Sequence, residues 1–202
     1  MKLHGLYAIT PEKLEGRELI ERVRAALEGG IAALQYRRKN RASVEEARLL
    51  AALCRSRKVP FIVNDDVDMA MNADGVHLGR DDGDLVKARK KMKGKLLGVS
   101  CYNSLETARA AVAQGADYIA FGSVFASPTK PDAVRAPLTL FSQARSLKVP
   151  LVAIGGITLE NAPKVIAAGA DAVAVITDLF DASDISERAR AYARLFAHEV
   201  TQ

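Results

Sequence analysis

The sequence is poor in aromatic residues and in cysteine, and each shortage narrows what the protein can be. Tryptophan is absent and aromatic residues make up only 5% of the 202 residues, so side chains on which bases could stack are scarce. We therefore do not expect nucleic-acid binding, although the net charge is +5. The two cysteines, Cys54 and Cys101, are too few for a disulfide framework and fit reduced thiols in the cytoplasm.

Long hydrophobic runs are also missing. No apolar run approaches the roughly 18 residues that a membrane span needs, and the first residues contain no signal-peptide core. Apolar residues make up 49% and charged residues 26% of the chain, the balance of a soluble globular protein. We expect a soluble cytoplasmic protein with one catalytic domain over residues 1–202, because the chain is too short for two ordinary domains.

What the sequence does contain is a regular alternation of short apolar runs with amphipathic stretches of helical period. The runs predict eight strands, at residues 6–10, 33–36, 61–64, 75–78, 96–100, 118–121, 151–154 and 172–175. Strands that are apolar throughout and separated by helices are typical of a parallel sheet, because each crossover passes over one face of the sheet. We predict an α/β protein with a single (βα)8 TIM barrel; an open, doubly wound sheet is the alternative.

In such a barrel the chemistry belongs to the loops that follow the strands, and a basic cluster ends the second strand. Alternation along the strand aims Gln35, Arg37 and Lys39 the same way. Arg is a planar bidentate donor and Lys a compact charge, a pair that suits an oligophosphate, while an amide can bind a heterocycle. An exposed basic loop without a ligand is the alternative.

Acidic residues follow the third and fourth strands. Asp65 and Asp66 come directly after the third strand, and Asp81 and Asp82 come after the fourth. Mg²⁺ is commonly held by one or two carboxylates together with water and phosphate oxygens. The spacing predicts a cation site but does not select its ligands, since Asp66 or Asp81 could instead cap a helix.

Small residues follow the seventh and eighth strands. Gly155 and Gly156 come directly after one, and residues 175–178 after the other. Backbone N–H groups at these two loops form the recurrent phosphate site of TIM barrels. We expect a phosphate group to bind there; a plain tight turn is the alternative.

The loop at 122–131, after the sixth strand, is long and polar. Loops of this length in compact folds are often functional, and Ser127, Thr129 and Lys130 would add hydrogen bonds and positive charge around a phosphate. The loop could act as a lid, and a mobile surface loop is the alternative.

These motifs, in this order, resemble the thiamine phosphate synthase (thiamine-phosphate pyrophosphorylase) family over nearly the whole chain. The resemblance is carried by Gln-x-Arg-x-Lys at 35–39, Asn-Asp-Asp at 64–66, Asp-Gly-Val-His-Leu-Gly at 74–79, Gly-Val-Ser at 98–100, Pro-Thr-Lys at 128–130 and Gly-Gly-Ile-Thr at 155–158. It implies a TIM-barrel transferase of thiamine biosynthesis. Such an enzyme joins hydroxymethylpyrimidine diphosphate to hydroxyethylthiazole phosphate, or to its carboxylated form, and releases pyrophosphate by a dissociative substitution.

The resemblance also implies Mg²⁺ and a role for single residues, carried over position by position. Asp65 and Asp82 would bind the metal, and Gln35 would contact the pyrimidine. The implied catalytic residues are Ser100, Lys130 and Arg37. The diphosphate would be held by Arg37, Lys39, Asn64 and Lys130, and the thiazole substrate by Ser127, Thr129, Gly156, Ile176 and Thr177. The full substrate-binding set is Gln35, Tyr36, Arg37, Arg38, Lys39, Asn64, Ser100, Ser127, Pro128, Thr129, Lys130, Gly156, Ile176 and Thr177.

Arg80 and His77 also lie near these motifs. Arg80 stands where the family usually has Gln, and its charge could compete with the metal beside Asp82 or contact the diphosphate instead. His77 could line the site, but histidines at strand ends are more often structural, so we leave it out of the predicted set.

Three other functions are alternatives to this prediction. A thiazole tautomerase shares the barrel but needs no grip on a diphosphate and a metal, which Arg37, Lys39, Asp65 and Asp82 would provide. A non-catalytic barrel that senses phosphorylated thiamine precursors, and a nucleic-acid-binding protein, are the other two. We expect small-molecule substrates as partners, with neither nucleic acid nor membrane; a homo-oligomer stays open.

Overall fold

Eight parallel strands close into a barrel in chain order, with β8 paired to β1. The structure, a computed structural model, describes residues 3–39, 42–79, 82–126 and 134–197. The strands are β1 Gly5–Ile9, β2 Ala33–Tyr36, β3 Phe61–Asn64, β4 Gly75–Leu78, β5 Leu96–Tyr102, β6 Tyr118–Phe121, β7 Leu151–Ile154 and β8 Ala172–Val175. The closed barrel confirms the predicted fold class and excludes the open sheet.

Six strands have the predicted bounds, and two differ at their ends. Strand β1 begins at Gly5 and stops at Ile9, and β5 continues to Tyr102. The longer β5 contains an irregularity between Ser100 and Tyr102, where its register with β6 shifts. Such an irregularity redirects side chains at the end of a strand.

Helices cover the outside of the barrel. They are α1 Gly16–Gly29, α2 Val44–Ser56, α3 Val67–Ala70, α4 Leu85–Lys91, α5 Leu105–Ala113, α6 Thr139–Ala144, α7 Ala162–Ala167, α8 Thr177–Phe180 and α9 Ile185–Ala197. Five of them begin at a side chain that accepts a hydrogen bond from the backbone N–H of the third residue on, namely Ser43, Asp66, Asp84, Ser104 and Asp184. Among the residues that the structure describes, no helix is long and apolar enough to cross a membrane.

The core has two parts, one between the sheet and the helices and one inside the barrel. The inner part contains small alanines and two large side chains, Tyr7 and Tyr118, whose rings meet edge to face. A Cβ at Gly98 would lie 2.0 Å from Tyr118 Cζ, so glycine at this position lets the ring cross the interior. The barrel therefore has polar hydroxyl groups at its centre, below the rim. That residues 1–202 form one catalytic domain stays a prediction.

Candidate active site

The C-terminal ends of β2, β3 and β4 bring the two predicted metal ligands together. The Asp65 carboxyl lies within hydrogen-bonding reach of Asp82 and of the Asn64 side chain, and Arg37 is near enough to act on its charge. Burial and the Asp82 carboxylate raise the pKa of Asp65 from 3.8 to about 6, while Arg37 and Asn64 oppose this shift. Like charges are thus held together beside one cation.

Local backbone geometry holds this pair. Asp65 has φ 63°, a left-handed conformation that few residues other than glycine adopt. On the neighbouring loop, Asp82 Oδ2 accepts a bond of 2.6 Å from the backbone N–H of Gly79. A Cβ at Gly79 would lie 2.6 Å from the same oxygen, so glycine makes room for the Asp82 carboxylate.

Two carboxylates that repel each other are an arrangement that a bound cation relieves. Among the described residues, no group of three or more His, Cys, Asp and Glu side chains could hold a metal ion. A donor set of two carboxylates fits Mg²⁺, which completes its shell with water and phosphate oxygens, better than it fits a four-ligand structural zinc site. Mg²⁺ at Asp65 and Asp82 stays a prediction.

Arg37 is held by an acidic residue that the sequence analysis missed. Its Nη1 lies 3.1 Å from Glu12 Oε2, and Glu12 Oε1 accepts a bond of 2.7 Å from the backbone N–H of Lys39. The Arg37 N–H donates to Thr10 Oγ1 at 2.9 Å. Glu12 thus clamps the loop after β2 onto the loop after β1 and leaves Lys39 exposed at the rim. Its position just after the first predicted strand was the available signal.

Tyr36 and Arg38 face away from the barrel interior, toward α2. The Tyr36 hydroxyl donates to Glu46 Oε2 at 2.8 Å, and Arg38 pairs with the same oxygen at 3.2 Å. The Arg38 side chain is 4% exposed and also donates to the carbonyl of Pro11. Strand alternation sends residues 36 and 38 to the face opposite Gln35 and Arg37. These contacts anchor the loop after β2 to α2, and the substrate-binding role of the two residues stays a prediction.

Gln35 lies inside the barrel at one end of a chain of buried polar side chains. Its Nε2 donates to the Tyr7 hydroxyl at 3.0 Å, and that hydroxyl lies 2.8 Å from the Tyr118 hydroxyl. Tyr118 lies 3.1 Å from His77 Nδ1, and His77 Nε2 lies 2.9 Å from Ser100 Oγ. The chain therefore joins two predicted site residues, Gln35 and Ser100, across the interior.

The three residues between them were not predicted to belong to the site. Tyr7 and Tyr118 lie in apolar strands of the sequence, and the position of His77 at a strand end favours a structural role. Burial lowers the pKa of His77 from 6.5 to about 4, so its ring is neutral at pH 7. Burial also raises the pKa of each tyrosine, which keeps both hydroxyls protonated.

The glycine pair after β7 packs against the loop after β6. The N–H of Phe125 donates to the Gly155 carbonyl at 3.0 Å. Gly156 has φ 64°, and a Cβ there would lie 2.2 Å from the carbonyl oxygen of Ala126. Position 156 consequently has no room for a side chain. Asn161 Nδ2 donates a hydrogen bond of 2.9 Å to the Gly156 carbonyl.

Ile176 and Thr177 lie at the start of the short helix α8. Ile176 is not helical, with φ −113° and ψ −82°, and within the described residues no side chain caps this helix start. Asp178, on the first turn, accepts bonds from the N–H of Leu159 at 3.2 Å and from the Tyr192 hydroxyl at 2.7 Å. The loops after β7 and β8 are thereby tied together, with backbone N–H groups at the helix start as donors for an anion.

Several predicted residues fall beyond the described ranges. Ser127, Pro128, Thr129 and Lys130 lie there, and so does Arg80. Their predicted contacts with substrate and metal stay predictions. The described part of the site consists of a charged side on β2 to β4, a glycine side on β7 and β8, and the buried polar chain below them.

Comparison with known proteins gives this arrangement a family. A model described as thiamine monophosphate synthase matches residues 6–179. The chain belongs to the thiamine monophosphate synthase family. A thiamine-phosphate synthase from Aromatoleum aromaticum is 55% identical, covering 96% of this chain and 97% of that protein. Another, from Methylobacillus flagellatus, is 52% identical and covers 96% of each chain.

Solved structures agree with this placement. The structure of thiamine phosphate pyrophosphorylase from Pyrococcus furiosus is 36% identical, with a TM-score of 0.87, and covers all of this chain and 98% of that one. A 3-hexulose-6-phosphate synthase is 17% identical, with a TM-score of 0.71, a likeness that shows the fold alone. The predicted family is confirmed.

Proposed function

We propose that this chain is a thiamine-phosphate synthase that joins hydroxymethylpyrimidine diphosphate to hydroxyethylthiazole phosphate and releases pyrophosphate. The family model and the curated relatives confirm the predicted activity and its transferase class. The structural observation that carries the proposal is the pairing of Asp65 and Asp82 beside Arg37 on the barrel rim. A tautomerase or a passive sensor of phosphorylated thiazole has no need of paired carboxylates beside an arginine.

The charged side of the rim suits the group that leaves. Arg37, oriented by Glu12, would bind diphosphate oxygens, with Lys39 and Asn64 nearby on the same two loops. Mg²⁺ on Asp65 and Asp82 would supply positive charge that stabilises the departing diphosphate. The electrons of the breaking C–O bond go to the diphosphate oxygen, so cationic groups at this place favour bond cleavage.

The glycine side of the rim suits a phosphate that stays attached. The N–H groups near Gly156 and at the start of α8 would hold the thiazole phosphate as a handle. Gln35 would bind the aminopyrimidine, whose electron-rich ring stabilises the methylene cation left by the diphosphate. The thiazole nitrogen then forms the new C–N bond, and holding the two reactants in place can contribute about 7–11 kcal/mol.

A cytoplasmic location is part of this proposal. Cys54 and Cys101 are free and buried, which fits a reducing compartment. The small-molecule substrates follow from the family, whereas a homo-oligomer stays a prediction.

The test is an assay with purified protein, both substrates and Mg²⁺, followed by removal of the metal with a chelator. We expect thiamine phosphate to form only with both substrates and metal present. Asp65→Asn should lose Mg²⁺-dependent turnover, while the matched control Asp68→Asn, an exposed carboxylate on α3 paired with Lys91, should keep it.

Three results would contradict the proposal. Undiminished turnover in chelator would show that the reaction needs no metal. Ligand binding without any product would favour a sensor. Isomerisation of a thiazole substrate in the absence of the pyrimidine would favour a tautomerase.

A further inference from the structure

The middle members of the buried polar chain beneath the rim are closed to bulk water. Tyr7 and Tyr118 are each 1% exposed, and His77 is 6% exposed. In the described residues every buried side-chain nitrogen and oxygen has a hydrogen-bond partner. Each hydroxyl and ring nitrogen in the chain is thus satisfied by its neighbours in the chain, so the proton positions of all five members depend on one another.

Gln35 gives this chain a direction. Its amide nitrogen only donates, and it lies 3.0 Å from the Tyr7 hydroxyl. A hydroxyl that accepts from Gln35 gives its single proton to its other partner, so Tyr7 donates to Tyr118. By the same reasoning Tyr118 donates to Nδ1 of His77, 3.1 Å away.

The direction fixes the tautomer of the imidazole. A ring nitrogen that accepts a hydrogen bond carries no proton, so the proton of neutral His77 is on Nε2. Nε2 lies 2.9 Å from Ser100 Oγ and therefore donates to it. Because the serine oxygen has accepted this bond, its own proton is left for a group at the rim, where Ser100 is partly exposed.

We propose that His77 is a positioning residue that locks the Ser100 hydroxyl as a hydrogen-bond donor toward the leaving diphosphate. The inference rests on the proposed function, in which negative charge develops on that group as the C–O bond breaks. A donor aimed at such an oxygen stabilises it in the transition state. His77 itself stays neutral and transfers no proton, because burial lowers its pKa to about 4.

The same chain couples the two ends of one substrate. With Nε2 bound to Tyr7, the amide of Gln35 presents its carbonyl oxygen to an N–H donor on a ligand, such as the amino group of an aminopyrimidine. A ligand held in this way keeps the amide from turning over. Recognition of the heterocycle at Gln35 thus maintains the donor state of Ser100 at the opposite end.

Nuclear magnetic resonance of protein labelled with ¹⁵N-histidine tests the tautomer without any substrate. The chain has three histidines, and His77→Gln identifies the signals of this one. We expect Nδ1 to show the shift of an unprotonated ring nitrogen and Nε2 that of a protonated one, unchanged between pH 8 and pH 5.5. Tyr118→Phe, which removes only a hydroxyl, should mix the tautomers. A proton on Nδ1, or an imidazolium at pH 7, would overturn the proposal.

A double-mutant cycle tests the link to catalysis. His77→Phe should lower kcat about tenfold or more while KM changes little, and His77→Gln, which keeps an N–H donor, should recover part of the loss. In a Ser100→Ala background His77→Phe should cost less than twofold. Equal losses in both backgrounds would show that His77 does not act through Ser100. If the wild-type protein itself makes no thiamine phosphate, the proposed function fails, and the tautomer measurement still stands on its own.

Discussion

Replacing Asp65 by Asn should make the metal-free protein more stable at neutral pH even as it destroys the proposed Mg²⁺ site. Folding raises the pKa of this carboxyl from 3.8 to about 6, chiefly through burial and the nearby Asp82. A group with a raised folded-state pKa favours folding below its unfolded pKa, and this contribution is lost as the pH rises through 6. At pH 7 the ionised carboxyl therefore opposes folding.

The expected size follows from the shift. Each pKa unit corresponds to about 1.4 kcal/mol. Asp65 is buried on one side only and is otherwise open to solvent, so solvent screening reduces the effect to about 1 kcal/mol. For a domain of this length that is about 2–4 °C in Tm. Asn also tolerates the left-handed backbone at φ 63°, a benefit that does not depend on pH.

Thermal or urea unfolding in chelator, at pH 7 and at pH 4, separates the two effects. We expect the variant to exceed the wild type by about 1 kcal/mol more at pH 7 than at pH 4. Added Mg²⁺ should raise the Tm of the wild type and leave that of the variant unchanged. A variant less stable than the wild type at pH 7, or an equal gain at both pH values, would refute the proposed repulsion between Asp65 and Asp82.

Three further predictions test other parts of the structure. His77 has a folded-state pKa of about 4 in place of 6.5, so the stability it contributes is present above pH 6.5 and falls by up to about 3 kcal/mol as the pH drops through 4. In urea unfolding, the free energy of unfolding of His77→Gln should depend less on pH over this range. The same pH dependence in the variant and the wild type would contradict this prediction. Arg38→Met should lower the free energy of unfolding, because it leaves the buried Glu46 carboxylate without its ion pair, while KM for the pyrimidine diphosphate stays within about twofold. Arg37→Met should instead raise that KM with little loss of stability. The opposite pattern would show that Arg38, and not Arg37, binds the diphosphate. Gly156→Ala, whose Cβ would meet the Ala126 carbonyl at 2.2 Å, should lower the free energy of unfolding by about 1–3 kcal/mol. It should also raise KM for the thiazole phosphate alone. Equal effects on the KM of both substrates in steady-state kinetics would argue against two separate sides of the rim.

The barrel could be predicted from the sequence because each strand is a short run of buried apolar residues. Runs such as residues 118–121 are apolar throughout and bounded by turn residues, so their ends coincide with the observed β6. The end of β5 could not be predicted, because the polar segment at Ser100 continues the strand only through an irregular pairing with β6. That pairing depends on the neighbouring strand and leaves no local signal.

Part of the candidate site could likewise be predicted from the sequence, and part could not. A cation site beside Arg37 could be predicted because residues that follow parallel strands meet at one rim. The spacing does not select Asp65 and Asp82 as its ligands, and only the family resemblance implies them. Strand alternation turns the Tyr36 side chain outward, where it meets Glu46, and its place in the substrate-binding set stays a prediction. The chain through Tyr7, Tyr118 and His77 could not be predicted, because its members come from β1, β6 and β4 and meet only in the closed barrel.

The proposed reaction requires one rim to hold a diphosphate that leaves and a phosphate that stays, and to couple the molecules that carry them. Its most direct test is to quantify thiamine phosphate and pyrophosphate from the same reaction of wild-type protein with both substrates and Mg²⁺. We expect the two products to appear together in equal amounts. Pyrophosphate without thiamine phosphate would show a hydrolase, and the absence of both products would contradict the proposed function altogether.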